Sequence, residues 1–332
     1  MSANRISLED YTAARRGAFL GAISARAPIA VAGTDRTAYL QGLLTNDIAA
    51  LAPGTGCYAA WLTPQGRMLT DLHVLQSDDM ILLDVPADLA EATLQRLDQF
   101  LFGEDVQLAA LAGSLRAVWL HGQSAPAVLA RALGEAPPFE AWRDYQHARL
   151  VFQSGPVVVA RINQLGVPGF CLYAAADQAD ALAASLQTNG ALAVDPALVD
   201  AMRVEEGYPV FGLDMTADTI PLEAGIEERA ISFTKGCYVG QEVVIRVLHR
   251  GGGRVARRLV GLRSADDMAA GEKLFAGERE IGFVTSAAAS PSLGPIALGY
   301  VHRDFTSPGT EVTVGRPSGR VPAAVTARPL AS

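Results

Sequence analysis

KGCYVGQEVVIRVLHRGGG, residues 235–253, is the stretch at which the chain changes character. Beyond its three glycines, 251–253, helical spacing disappears. Six short strand-like runs follow, near 258–262, 273–276, 281–286, 296–301, 311–314 and 321–326, separated by Gly, Pro or Ser. Short strands with such regular punctuation fit a small closed barrel, which leaves no unpaired sheet edge. Before the stretch, helix and strand patterns alternate. Residues 34–46 place Ala38, Leu40, Leu43 and Leu44 on one helical face with Thr34 positioned to cap. Residues 57–62 and 68–75 form two strands around Pro64-Gln65-Gly66, and 86–102 return to helical spacing through Leu89, Ala92, Leu94, Leu97 and Leu101. Strands are expected at 157–162 and 170–173. A helix over 175–187 stops near Asn189-Gly190, and Asp195-Pro196 caps and opens another that runs to Glu206.

These patterns predict an α+β chain. Two interleaved sheet-and-helix units occupy 1–250, one built from 1–50 with 135–250 and the other from 51–134, and a barrel occupies 254–332. The proline-rich segment 134–139 reads as a loop joining subdomains. With 332 residues, half of them hydrophobic, the chain can bury more than one core. No apolar stretch approaches the roughly 18 residues of a spanning helix, so no membrane partner is expected. The start of the chain carries Glu9 and Asp10 and lacks the cationic and apolar blocks of an export signal, which predicts a cytoplasmic location. The net charge of -8 argues against a direct nucleic-acid partner, because binding to phosphate backbones needs excess Lys and Arg.

Cys57, Cys171 and Cys237 are odd in number and widely separated, a poor basis for disulfides and too few thiolates to hold an iron-sulfur cluster alone. His73, His121, His147 and His302 show no ligand spacing, so no metal site is expected. Phosphate-loop and dinucleotide glycine motifs are absent. Within 235–242, Gly236 and Gly240 allow a tight turn and close approach to a ligand. Cys237 would sit on that bend two residues from Lys235, one of only two lysines in the chain. A neighbouring cation and a helix starting near Gly240 would favour the thiolate. The alternative is that Cys237 packs as a small hydrophobe and the glycines simply turn the chain.

The string KGCYVGQE (235–242) resembles the signature of the YgfZ family of folate-binding proteins, which includes helpers of iron-sulfur maturation. Further matches join the chain to the wider superfamily of the glycine-cleavage T-protein, an aminomethyltransferase. YLQGLLTND (39–47) resembles its first helix, and QGRMLTDL (65–72) resembles the segment carrying its folate-facing aspartate, here Asp71. RVEEGYP (203–209) followed by PLEAG (221–225) resembles its central motif; GFVTS (282–286) and IALGYV (296–301) resemble its barrel.

The resemblance implies a T-protein-like three-domain ring, with two mixed α/β, ferredoxin-like units, a C-terminal six-stranded β-barrel, and tetrahydrofolate or a derivative in the central opening. Asp71 and Glu205 are the implied folate contacts, since a carboxylate can accept two hydrogen bonds from the amino-pyrimidine edge of a pterin. Gly236, Gly240, Gln241, Glu242 and Arg246 are the further implied cofactor-side residues, and Cys237 with Lys235 the implied catalytic pair. Trp61, beside the Asp71 segment, is either core or a pterin platform. Arg246, Arg250, Arg254, Arg257 and Arg258, with His249, form either a solvated face or a site for a folate polyglutamate tail or an acidic partner.

The function implied is that of a folate-binding accessory protein for cluster assembly or repair in iron-sulfur client enzymes, including enzymes that modify transfer RNA; the alternative is folate-dependent aminomethyl transfer. Two departures from the T-protein pattern favour the accessory role: Thr70-Asp71-Leu72 in place of Asp-Asp-Leu, and the Gly-Cys string after Lys235.

Overall fold

The computed structural model describes residues 6–134, 137–250, 254–317 and 319–330, the side chains of His249 and Arg250 excepted. Two open sheets precede a closed barrel. The first sheet runs in the order Thr55–Leu62, Met68–Gln76, Met80–Pro86, Arg26–Ala32, Gln107–Ala110, and every neighbouring pair is antiparallel. Helices Arg36–Leu43 and Ala90–Asp98 bury Leu40, Leu43 and Leu97 against Ile29, Val31, Trp61, Val74 and Leu83 of that sheet. The expected cap at Thr34 is corrected: its amide and hydroxyl both donate to the Asp105 carboxylate, at 3.0 and 2.8 Å, and Asp35 holds the cap position without a side-chain bond.

The second sheet has the order Ala191–Ala193, Ala18–Leu20, Leu115–His121, Gly169–Ala175, Gly155–Arg161, His147–Phe152. Helices Ala125–Leu133 and Ala179–Thr188 cover it through Val128, Leu129, Leu182 and Leu186 packed on Leu120, Phe170 and Leu172. The strands therefore divide the chain differently from the expected 1–50 with 135–250 and 51–134. Arg26–Ala32 joins the first sheet, while Leu115–His121 joins the second. The reason is that the proline-rich segment chosen as a boundary lies inside the second unit, between Ala125–Leu133 and His147–Phe152. Of that segment, residues 135 and 136 lie outside the described residues, as do 251–253.

The third part is a closed six-stranded barrel, Arg257–Ser264, Gly294–His302, Arg279–Ser290, Lys273–Ala276, Glu311–Arg316 and Gly319–Thr326, the last returning to the first. Leu262, Leu274, Val284, Val301, Val314 and Val325 pack together as its core. The helix Pro196–Glu206 holds the barrel in place. Asp195 caps it by accepting from Ala197 N, Pro196 opens it, and Gly207 ends it at φ +68°. A register shift between Val284 and Ser286 turns the adjacent Thr285 and Ser286 hydroxyls onto Asp214 Oδ1, at 2.6 and 2.7 Å. The other oxygen of Asp214 accepts from the buried Arg203 of that helix at 2.8 Å, so one carboxylate ties helix to barrel.

Candidate functional site

A column of polar and aromatic side chains crosses the seam between the parts. Arg26, on an interior strand of the first sheet, donates from Nε to Asp84 at 2.9 Å and from Nη1 to Asp71 at 3.3 Å. His73 Nδ1 lies 3.0 Å from the same Asp84 oxygen. Burial alone would lift the Asp84 pKa, but Arg26 and His73 outweigh it and hold the carboxyl below its ordinary value. Burial, reinforced by Arg26, pushes His73 down and keeps its ring neutral. Tyr58 donates its hydroxyl to Asp71 at 2.8 Å, and its ring lies 4.8 Å from the guanidinium carbon of Arg229. Arg229 also stands 4.0 Å from the centre of the Tyr208 ring, so one guanidinium is close to two tyrosine rings.

Tyr208 and Arg229 open onto a cavity of about 500 Å³ between the Glu206–Pro209 turn and the barrel, also lined by Asn163, Glu206, Arg258 and Arg328. That volume lies within the roughly 300–1,000 Å³ usual for small-ligand sites. The three cations of the wall differ. Arg258 pairs with Glu227, and Arg328 donates to the carbonyls of Gly207 and Ala224 at 3.2 and 2.8 Å. The guanidinium of Arg229 finds no hydrogen-bond acceptor among the described residues. Glu206 likewise has no hydrogen-bond donor there; burial raises its pKa, against the lowering effects of Arg15 and Arg229.

The expected site residues fall in three places. Asp71 is buried in the column and already held by Arg26 and Tyr58. Glu205 is buried at the helix–barrel seam: Oε2 accepts from Tyr11 at 2.5 Å and Arg15 at 3.2 Å, and Oε1 from Ser290 and Ser292. The residues of 235–246 form a third group, packed on the Leu62–Met68 hairpin and on the end of the helix Arg36–Leu43. Lys235 Nζ donates to the carbonyls of Gln41, Leu44 and Asn46 at 2.7, 2.7 and 2.8 Å, which caps the end of that helix. Burial lowers its pKa to about 8.

Gly240, at φ +86°, approaches the hairpin so closely that a Cβ there would lie 2.6 Å from the Thr63 carbonyl oxygen. Nothing lies within 4 Å of the corresponding point on Gly236. Cys237 is exposed on the bend, and its thiol is free. Gln241 opens the short helix Gln241–Ile245, with Glu242 and Arg246 exposed beside it. None of these residues lines the cavity.

Two further expectations resolve plainly. Trp61 is core, 1% exposed and edge-on to Phe100. The arginine patch is split. Arg257 and Arg258 pair with Glu223 and Glu227, Arg246 and Arg254 are exposed, and the side chains of His249 and Arg250 lie outside the described residues. Arg26, Tyr58, Tyr208, Arg229 and Arg328 stand in the column or on the cavity wall without having been expected there, and the expected Glu205 has Glu206 beside it on that wall. Glu206 and Tyr208 stood within the quoted RVEEGYP segment; nothing in the local pattern marked Arg229.

Two open sheets and a closed barrel, with a cavity between the Glu206–Pro209 turn and the barrel, define a three-part α+β protein. The chain belongs to the glycine cleavage T-protein family: the GCVT N-terminal domain matches residues 2–235, and the glycine cleavage T-protein C-terminal barrel domain matches 257–331. Aminomethyltransferase of Geobacillus sp. (strain WCH70) is 30% identical over 97% of this chain and 89% of its own length. That of Geobacillus kaustophilus is 32% identical over 92% and 85%. The crystal structure of glycine cleavage system aminomethyltransferase T from Bartonella henselae superposes with a TM-score of 0.87 at 29% identity, over 97% of this chain and 89% of that one.

These relatives overturn the expected accessory role in iron-sulfur assembly or repair, with its client enzymes and transfer-RNA modification; they support the aminomethyl-transfer alternative. The physical reason is visible in the string that carried that expectation. Within it Lys235 caps a helix and Gly240 seats a hairpin, contacts that hold the fold together, while Cys237 stays exposed with a free thiol. Among the described residues no helix is long and apolar enough to cross a membrane.

Proposed function

We propose that the cavity beside Tyr208 binds a reduced folate and that the protein transfers a one-carbon unit to it from an aminomethyl donor. The observation that carries this reading is that one cavity wall holds a carboxylate, Glu206, and a guanidinium, Arg229, neither hydrogen-bonded among the described residues, next to an aromatic ring. Such a wall suits a flat heterocycle that both donates and accepts hydrogen bonds. Tetrahydrofolate, when bound, supplies the nitrogen that accepts the carbon unit. Glu206 accepts from its amino-pyrimidine edge, and the Arg26–Asp71–Tyr58 chain fixes the position of Arg229 from behind.

Within the family we place the chain beside the YgfZ-type folate-binding proteins, on its 235–242 string alone. Three unpaired cysteines suit a reducing, cytoplasmic setting. Cys237 and Lys235 enter this reading as members of the turn that closes the first unit.

The test has two arms. Calorimetric titration with tetrahydrofolate should show binding, weakened about tenfold in Glu206→Gln, as expected for loss of one charge-assisted bond. Incubation with an aminomethylated carrier protein should then yield methylene-tetrahydrofolate. Binding without turnover would refute the transfer reaction, and no binding at all would refute the folate site.

A further inference from the structure

The outer wall of the barrel carries a second cavity, of about 780 Å³, which shares no lining residue with the first. Its floor follows from strand register. Leu262, Val312, Val314, Ala323 and Val325 belong to the barrel core, so their alternating neighbours Arg263, Glu311, Thr313 and Ala324 face outward. Ala324 is the cross-strand neighbour of both Arg263 and Glu311, and in the next row Thr313 stands between Phe275 and Pro322. Residues directly opposed across strands share one face of a sheet. Arg263 and Glu311 therefore stand two strand spacings apart, about 10 Å between their Cα atoms, with only the Ala324 methyl between them.

The two charges of that row are unmatched. Arg263 donates through Nη2 to the Leu330 carbonyl, but its Nε is buried without an acceptor, as the Thr313 hydroxyl is without any partner. Glu311 has neither an ion pair nor a hydrogen bond among the described residues. Arg320 and Glu278 nearby pair with each other, and the Arg320 guanidinium covers the Phe275 ring at 4.0 Å. A buried donor without a partner calls for an acceptor, and a carboxylate across the same groove calls for a cation.

We infer that this groove binds a free apolar α-amino acid, its carboxylate on Arg263, its ammonium on Glu311 and its side chain against Phe275, Pro322 and Leu293. The span fits. With a charged hydrogen bond of about 2.8 Å at each end, an α-amino acid bridges about 8–9 Å, and its backbone passes over the one small side chain of the row. A simple amine or carboxylate reaches only one of the two charges. The site stands apart from the cavity assigned to folate and does not depend on that reading.

The test titrates the full-length protein with phenylalanine, N-acetylphenylalanine and phenylalanine amide, followed by saturation-transfer difference NMR. Phenylalanine should saturate with a Kd of about 1 mM, the level open to so small a ligand. Each blocked form should bind about tenfold or more weakly, since each loses one charged contact. Glu311→Gln, which breaks no bond of the fold, should bring phenylalanine down to the level of N-acetylphenylalanine and leave the latter unchanged. Ala324→Leu, on the outward face of its strand, should fill the row and abolish binding of all three.

No saturable binding of phenylalanine would overturn the site. Equal binding of the three ligands would overturn recognition by the two charges, and binding that survives both substitutions would overturn its assignment to this groove.

Discussion

Replacing Lys235 with methionine isolates the structural part of the 235–242 string. Methionine fills a similar volume, so the loss is polar: three carbonyls at the end of the helix Arg36–Leu43 lose their common donor. Hydrogen bonds from a charged donor contribute about 1.5–3 kcal/mol each, but three on one ammonium share a single desolvation penalty and do not add. The carbonyls of Gln41 and Asn46 are part-buried and can turn to water, whereas the contact at Leu44 is buried, leaving that acceptor unpaired at about 1–3 kcal/mol. Loss of a cation at a helix C-terminus adds about 0.3–1 kcal/mol.

The expected destabilisation is therefore about 3 kcal/mol. In urea it should lower the unfolding midpoint by about 1 M at a slope near 3 kcal/mol/M, without changing the slope. Far-ultraviolet circular dichroism with tryptophan fluorescence reads both quantities, since Trp61 packs beside this helix. A midpoint within about 0.2 M of the wild type would show that the three carbonyls are served as well by water, and would refute Lys235 as the clasp of the first unit.

The same clasp has a pH signature. Burial sets the folded Lys235 pKa at about 8, below its ordinary value of 10.5. Below pH 8 both states hold the proton; between the two values the unfolded chain keeps a proton that the folded one has released, so raising the pH favours the fold. The stability gap between wild type and Lys235→Met should thus widen from pH 7 to pH 10 in urea titrations, and a constant or narrowing gap would contradict that sign. Arg26→Met should cost about 3–5 kcal/mol at pH 8 by leaving the Asp71 and Asp84 carboxylates buried without their cation. Without Arg26, burial is left to raise the Asp84 pKa, so protonation of that carboxyl should shrink the deficit at pH 5.5; a deficit independent of pH would mean that water already shields it.

What was legible in the sequence was local. Each barrel strand announced itself by its own run and its own turn, and Asp195-Pro196 marked the start of a helix that runs to Glu206, because caps and turns are chemistry between near neighbours. Thr34 shows where that logic stops. It carried a sound capping signal, but Asp105, far along the chain, took both its amide and its hydroxyl. Strand partnership failed for the same reason, since no signal within Arg26–Ala32 says that its neighbours are Met80–Pro86 and Gln107–Ala110.

The site lay beyond such reading on two counts. Its column joins Arg26, Tyr58, Asp71, Tyr208 and Arg229, whose proximity is created only when the parts close on one another. The choice between Glu205 and Glu206 turned on direction within a helix, where successive side chains diverge by about 100°. That angle sends Glu205 into the seam, where Tyr11, Arg15 and two serines bind it, and leaves Glu206, the last residue before the left-handed Gly207, to face the cavity. A carboxylate with its bonds complete can fasten two domains, and one whose bonds are open can hold a ligand. Both carboxylates stand in the segment 203–209 that resembles a family motif, and a single step along the backbone separates the one that fastens from the one whose bonds are open.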